Sequence, residues 1–152
     1  MARKSVPEML APMIGLNIEK YGRFLQGVFP TRENPAGASF IYSIGNHLKN
    51  MPELLIIGPF PPQFMAGVLN VLSDFQLNRG KPFEDGEEPD IGLVPMPKLR
   101  KCSANVRDEF TIQAGQYFKH ENYDVMQVLI ADPDGLFPDD PQCHRNYKVV
   151  MP

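Results

Sequence analysis

The sequence predicts an α+β fold in a single domain over 1–152, a mostly antiparallel sheet with two main helices packed on it. Three observations carry that prediction. Residues 61–79 and 107–120 repeat apolar side chains at helical spacing, whereas 54–57 and 125–131 are apolar runs of strand length bounded by glycine, proline or acidic residues. Sixteen prolines and twelve glycines break the chain often, so short elements joined by stiff turns are expected. A chain of 152 residues, 43% hydrophobic, suffices for one sizeable core and is short for two domains.

Each element follows from its own residues. Residues 1–20 read as a proline-broken lead, interrupted by Pro7 and Pro12. Arg23 to Phe29 and Ser39 to Ile44 carry β-branched and aromatic residues around a loop containing Asn34, Pro35 and Gly37, which is a hairpin pattern. Leu54 to Ile57, ended by Gly58 and Pro59, suits a buried strand. Pro61 and Pro62 open a helix in which Phe64, Val68, Val71, Leu72 and Phe75 share a face, and Gly80 stops it. After an acidic connection over 81–90, Ile91 to Val94 reads as a further strand. Phe110, Ala114, Tyr117 and Phe118 mark the second helix, Val125 to Ala131 a strand, and Tyr147 to Val150 a short edge strand. Both helices are expected on one sheet face, burying Ile56, Phe64, Val68, Leu72, Phe110, Phe118 and Leu129 together.

Charge narrows the function classes. Fifteen Lys and Arg against eighteen Asp and Glu leave a net charge of −3, which argues against nucleic acid and anionic membrane as partners. No apolar stretch approaches the roughly 20 residues of a membrane span. Pro7, Glu8 and Pro12 deny the start Met1-Ala2-Arg3-Lys4 a continuous apolar segment, so a secretory signal is not expected and cytoplasmic residence is. Cys102 and Cys143 allow at most one bridge and are expected as free thiols.

Individual residue patterns offer chemistry but few complete sets. Asp132-Pro133-Asp134-Gly135 can bind a hard cation or supply a base, yet the same residues are those a type I turn selects, and their spacing departs from a calcium loop. Cys143 and His144 are neighbours, which in extended backbone point to opposite faces. The three histidines and two cysteines show no zinc-ligand spacing, so no metal and no cofactor is expected. Lys98, Arg100, Lys101 and Arg107, with His47 and Lys49 after the Tyr42 strand, form a basic set able to hold phosphate or carboxylate, or merely a solvated face. Tyr42 and Phe137 suit either a stacked planar ligand or the core. Glu53 stands between Pro52 and an apolar run, where a carboxylate must find partners. Its first expected role is to position the loop holding His47 and Lys49, with general base second.

Three segments resemble a known family. Phe40-Ile41-Tyr42-Ser43-Ile44-Gly45 is similar to its aromatic-x-Tyr-Thr/Ser-x-Gly strand, Pro52-Glu53-Leu54 to its His-Pro-Glu-Leu segment, and Gln127 to Cys143 to its Asp-x-Asp-Gly-x-Phe-Pro-Trp-Asp-Pro-x-Cys ending. On these the chain resembles domain of unknown function 4262, a group of small bacterial and phage proteins. Met51 stands where the family has histidine and Asp139 where it has tryptophan. The resemblance implies no known activity, and histidine-dependent chemistry at position 51 is not available to this chain.

The expectation is a non-catalytic binding or regulatory module that captures a small anionic, nucleotide-like ligand or a protein partner. Its candidate ligand-binding residues are Tyr42, His47, Lys49, Glu53, Asp132, Asp134 and Phe137, with the Tyr42 strand end, the His47 to Glu53 loop and the Asp132 turn meeting at one site. The alternative is a small hydrolase or transferase using Glu53, Asp132 or Asp134 with a histidine. No nucleophile, base and orienter can be read together, which favours the first class and leaves the enzyme question and the oligomeric state open.

Overall fold

A computed structural model describes residues 6–33, 35, 37–120 and 122–152, with side chains from Leu10 onward; Asn34 of the expected hairpin loop lies outside them. The α+β domain is built on a five-stranded mixed sheet in the order β1-β2-β3-β5-β4. Its strands are β1 (Phe24–Val28), β2 (Phe40–Ile44), β3 (Glu53–Ile57), β4 (Pro97–Lys101) and β5 (Val125–Ile130). The expected hairpin forms, β1 against β2 with Gln26 opposite Tyr42. Every neighbouring pair is antiparallel except β3 and β5, which run parallel with Glu53 opposite Val125.

The helices cover both faces of this sheet, which corrects the expectation of one covered face. On one side α2 (Pro62–Arg79) places Met65, Val68, Leu69 and Leu72 against Ile41, Leu54, Ile56, Leu99, Val128 and Ile130. On the other, α1 (Val6–Tyr21), α3 (Ala104–Phe110) and α4 (Ile112–Tyr117) bring Ile14, Phe110, Ala114 and Phe118 onto Tyr42, Ile44, Leu55, Ile57 and Val125. The reason lies in the strands themselves. β3 and β5 are buried at every position, so alternate residues present apolar surface both ways and each face needs a cover. Val68 and Leu72 therefore lie in a different core layer from Phe110 and Phe118. Leu129 packs with Ala131 and Phe137, and Phe64 is only partly buried.

Local chemistry explains the remaining departures. Pro12 lies inside α1, and the described part of the expected broken lead is helical because Leu10, Ile14 and Ile18 recur every four residues and pack on the sheet. The second helical segment starts early, at the Ser103 cap whose hydroxyl accepts the Val106 N–H at 3.2 Å, and divides at Thr111. There the Thr111 hydroxyl donates to the Arg107 carbonyl at 2.6 Å, and the backbone leaves the helical region. Ile91 to Val94 is irregular; the strand is instead the charged stretch 97–101. Tyr147 to Val150 pairs with no strand: a 3-10 turn covers Arg145–Tyr147, and the Val150 carbonyl accepts the Gln127 side chain at 2.6 Å. At the end of α2, Gly80 adopts the left-handed conformation (φ 70°) expected of a helix stop.

Candidate functional site

Two of the three segments expected to form one site meet, and the third does not. Ser43, Gly45, Asn46 and His47 surround Glu53, whose side chain has no exposure. Its Oε1 accepts the Ser43 hydroxyl at 2.7 Å and the Asn46 N–H at 3.1 Å; its Oε2 accepts the Gly45 and His47 N–H groups at 2.9 and 3.0 Å. The Ser43 oxygen itself accepts the Leu54 N–H and the Asn46 side-chain amide, so its one proton must point at Glu53. Burial raises the Glu53 carboxyl above the usual carboxylate range, and the His47, Gly45 and Asn46 amides and the Ser43 hydroxyl pull it only part of the way back. A carboxyl proton would face a donor on either oxygen, so the ionised form is the one this arrangement fits. Glu53 thereby ties the start of β3 to the end of β2 and to the 3-10 turn Asn46–Lys49. With both oxygens occupied by two donors and closed to solvent, it holds no geometry for a general base.

The neighbouring residues share this structural setting. Tyr42 is fully buried, donates its hydroxyl to the Gln113 side chain and accepts the Gln113 N–H at 3.1 Å, so it is a core residue and not a stacking platform. His47 is half-buried with its ring 4.8 Å from Phe118, and Lys49 is exposed.

The Asp132 turn lies at the other end of the sheet. Val125, opposite Glu53, precedes Asp132 by a strand length of about 23 Å, which separates the two and overturns the single shared site. Asp132 also organises backbone. Its Oδ1 accepts the Asp134 and Leu136 N–H groups at 2.9 Å each, and its Oδ2 accepts the His144 N–H at 2.8 Å. The His144 amide, followed by those of Leu136 and Asp134, holds the carboxyl below the usual carboxylate range against the effect of burial. Gly135 takes the left-handed conformation (φ 81°) that closes the turn, and Asp134 is exposed.

The expected basic set is largely neutralised from within. Lys98 and Arg100 both reach Asp139, at 2.8 and 2.9 Å, and Arg100 also meets Asp85 at 3.0 Å. Burial pushes the Asp139 carboxyl up, but these two cations hold it below its ordinary value. Arg107 is spent on Asp108, Asn122 and the Tyr123 carbonyl.

Beside the Asp132 turn is a cleft of about 400 Å³, lined among others by Glu88, Val94, Met96, Asp132, Phe137 and Tyr147. Of the expected site residues, Asp132 and Phe137 therefore border one concave surface. Phe137 is buried with the Lys98 ammonium 5.5 Å from its ring centre. Val94 is 90% exposed and Met96 45%, both at this cleft. Sequence reasoning missed them because an irregular segment carries no periodicity to mark its faces. Cys143 is buried, its thiol donating toward the Leu136 carbonyl at 3.5 Å, and burial pushes it up. Among the described residues no group of three or more His, Cys, Asp or Glu is placed to hold a metal ion, and no helix is long and apolar enough to cross a membrane.

Neither the curated proteins nor the solved structures compared with this chain include a match. The family resemblance, in contrast, extends well beyond its three motifs: residues 17–144 match the model of the family described as Domain of unknown function (DUF4262), and the chain belongs to that family.

Proposed function

We propose that this chain is a non-catalytic binding module that captures a protein partner at the cleft between 94–96 and the Asp132 turn. The observation that carries this reading is Val94, an apolar side chain 90% exposed beside a 400 Å³ cleft floored by Phe137. Val94 and Met96 together expose apolar surface at the rim of one formed hollow, the setting in which exposed apolar residues point to an interaction site. The Asp132 carboxylate fixes the turn through three backbone N–H groups, so the cleft wall is ordered before anything binds.

The small anionic ligand draws less support. Lys98 and Arg100 already face Asp139, and the carboxylates at the cleft, Glu88 and Asp132, repel an anion. A hydrolase or transferase draws less still. Glu53 and Asp132 spend their oxygens on backbone donors, and His144 Nδ1 accepts the Asn146 N–H at 3.2 Å.

A photo-crosslinking residue at position 94, compared with one at exposed Asp108, tests the reading in cells that express the protein. The expected result is a discrete protein adduct at 94 only, lost when Met96→Asp is added. Equal adducts at both positions, or none at 94, would refute it.

A further inference from the structure

The two edges of the sheet are treated differently. β4 is guarded: the Leu99 N–H donates to the Glu87 carbonyl at 2.8 Å, the Leu99 carbonyl accepts the Gly86 N–H at 2.7 Å, and the Lys101 N–H donates to Asp85. β1 has no such cover among the described residues. Its sequence, Phe24-Leu25-Gln26-Gly27-Val28, carries no charge and no proline, the devices that blunt an exposed edge.

The register fixes which groups face outward. Gly58 donates its N–H to the Ser39 carbonyl, which turns Ser39 and Ile41 toward β3 and, by alternation, Phe40, Tyr42 and Ile44 toward β1. Their partners Val28, Gln26 and Phe24 face inward. The backbone groups of Leu25 and Gly27 therefore point away from the sheet. Among the described residues the one bond to them is from the Gln26 side chain, whose amide donates to the Gly27 carbonyl at 3.0 Å while its Oε1 is buried with no partner among them.

We infer that β1 pairs antiparallel with β1 of a second copy of this chain about a two-fold axis at Gln26. That register sets Leu25 opposite Gly27 of the second copy, so each donates its N–H to the carbonyl of the other and the Gln26 amide is released from Gly27. Directly opposite residues of such a pair have Cβ atoms about 4.5–5.5 Å apart. The two Gln26 side chains then meet on the axis, and each amide reaches the Oε1 that lacks a donor in the single copy. The same register brings Phe29 of the second copy, 42% exposed in one chain, opposite Arg23, whose buried Nε has no acceptor. A groove of about 530 Å³ bordered by Arg23, Leu25, Asn70 and Asp74 is open to receive that ring. An unrelated strand would pair with the backbone equally well; a second copy in addition places a glutamine at the axis and a phenylalanine at the groove by symmetry. The interface is isologous and closes as a dimer, joining the two sheets into one.

Sedimentation from micromolar to 500 µM protein, with amide hydrogen exchange, tests this. The expected mass rises with concentration to twice 17.1 kDa, and the Leu25 and Gly27 amides gain protection in step. Gln26→Lys and Gln26→Glu each set like charges opposite on the axis and should weaken the dimer about tenfold or more, whereas their equimolar mixture restores it. A chain that remains at 17.1 kDa at 500 µM overturns the inference. So does a dimer indifferent to both variants, or one whose Leu25 and Gly27 amides exchange as freely as in the monomer. The wild-type exchange measurement decides the matter should either variant fail to fold.

Discussion

Replacing Glu53 with glutamine keeps the shape of the side chain and removes one acceptor oxygen. Whichever way the new amide turns, its NH₂ faces two donors: the Asn46 N–H and Ser43 hydroxyl, or the Gly45 and His47 N–H groups. Ser43 cannot rotate its proton away without colliding with the Leu54 N–H or the Asn46 amide it already accepts. Two hydrogen bonds to a charged group, each worth about 1.5–3 kcal/mol, are lost where no water can replace them. Relief from burying a charge returns part of this, since an ionised carboxylate costs several kcal/mol to desolvate. The net expectation is a loss of about 3 kcal/mol, a substantial share of a domain's stability. Urea unfolding with linear extrapolation measures it, and exchange at the Gly45, Asn46 and His47 amides locates it. An unfolding free energy within about 0.5 kcal/mol of wild type, or unchanged exchange at those amides, would show that Glu53 is not the clamp described. Retained stability with altered ligand binding would restore it as a functional acid.

Three further outcomes rest on the packing and electrostatics. Phe110→Ala should cost about 3–5 kcal/mol, whereas Phe64→Ala, at a partly buried position, should cost clearly less; equal losses would contradict the partial exposure of Phe64. Asp139 is held below its unfolded value, so the native state binds fewer protons than the unfolded chain and its contribution is present above about pH 4 and lost as pH falls through the folded value. Asp139→Asn should therefore flatten the acid limb of the stability curve, and an unchanged limb would mean that the Lys98 and Arg100 pairs contribute nothing. Cys102, whose thiol burial pushes up to about 12, should resist a thiol reagent until the chain unfolds, a rate read by mass spectrometry; prompt native labelling would place it at the surface.

The elements that rest on local rules were legible in the residues. The apolar runs at 54–57 and 125–130 form strands, and the hairpin and the Pro62–Arg79 helix with its Gly80 stop form as their spacing predicts. Periodicity says which side of a helix is buried, but not which face of the sheet receives it, so the opposite placement of α2 and α3–α4 was decided by the apolar demand of both faces of β3 and β5. β4 was hidden for a related reason: Lys98, Arg100 and Lys101 read as a solvated loop until Asp85 and Asp139, distant in sequence, arrive to pair with them.

The candidate site divides the same way. That Glu53 must find partners and that Asp132 builds a turn follow from the local residues, because a carboxylate beside an apolar run needs donors and Asp-Pro-Asp-Gly selects a turn. That these two lie a strand length apart depends on the parallel pairing of β3 with β5, a contact between segments some seventy positions apart that no local pattern encodes. Exposure of Val94 and Met96 and the outward aim of Leu25 and Gly27 are likewise properties of the assembled sheet. A side chain's surroundings, and the free edge of a strand, exist only once the neighbours have been chosen.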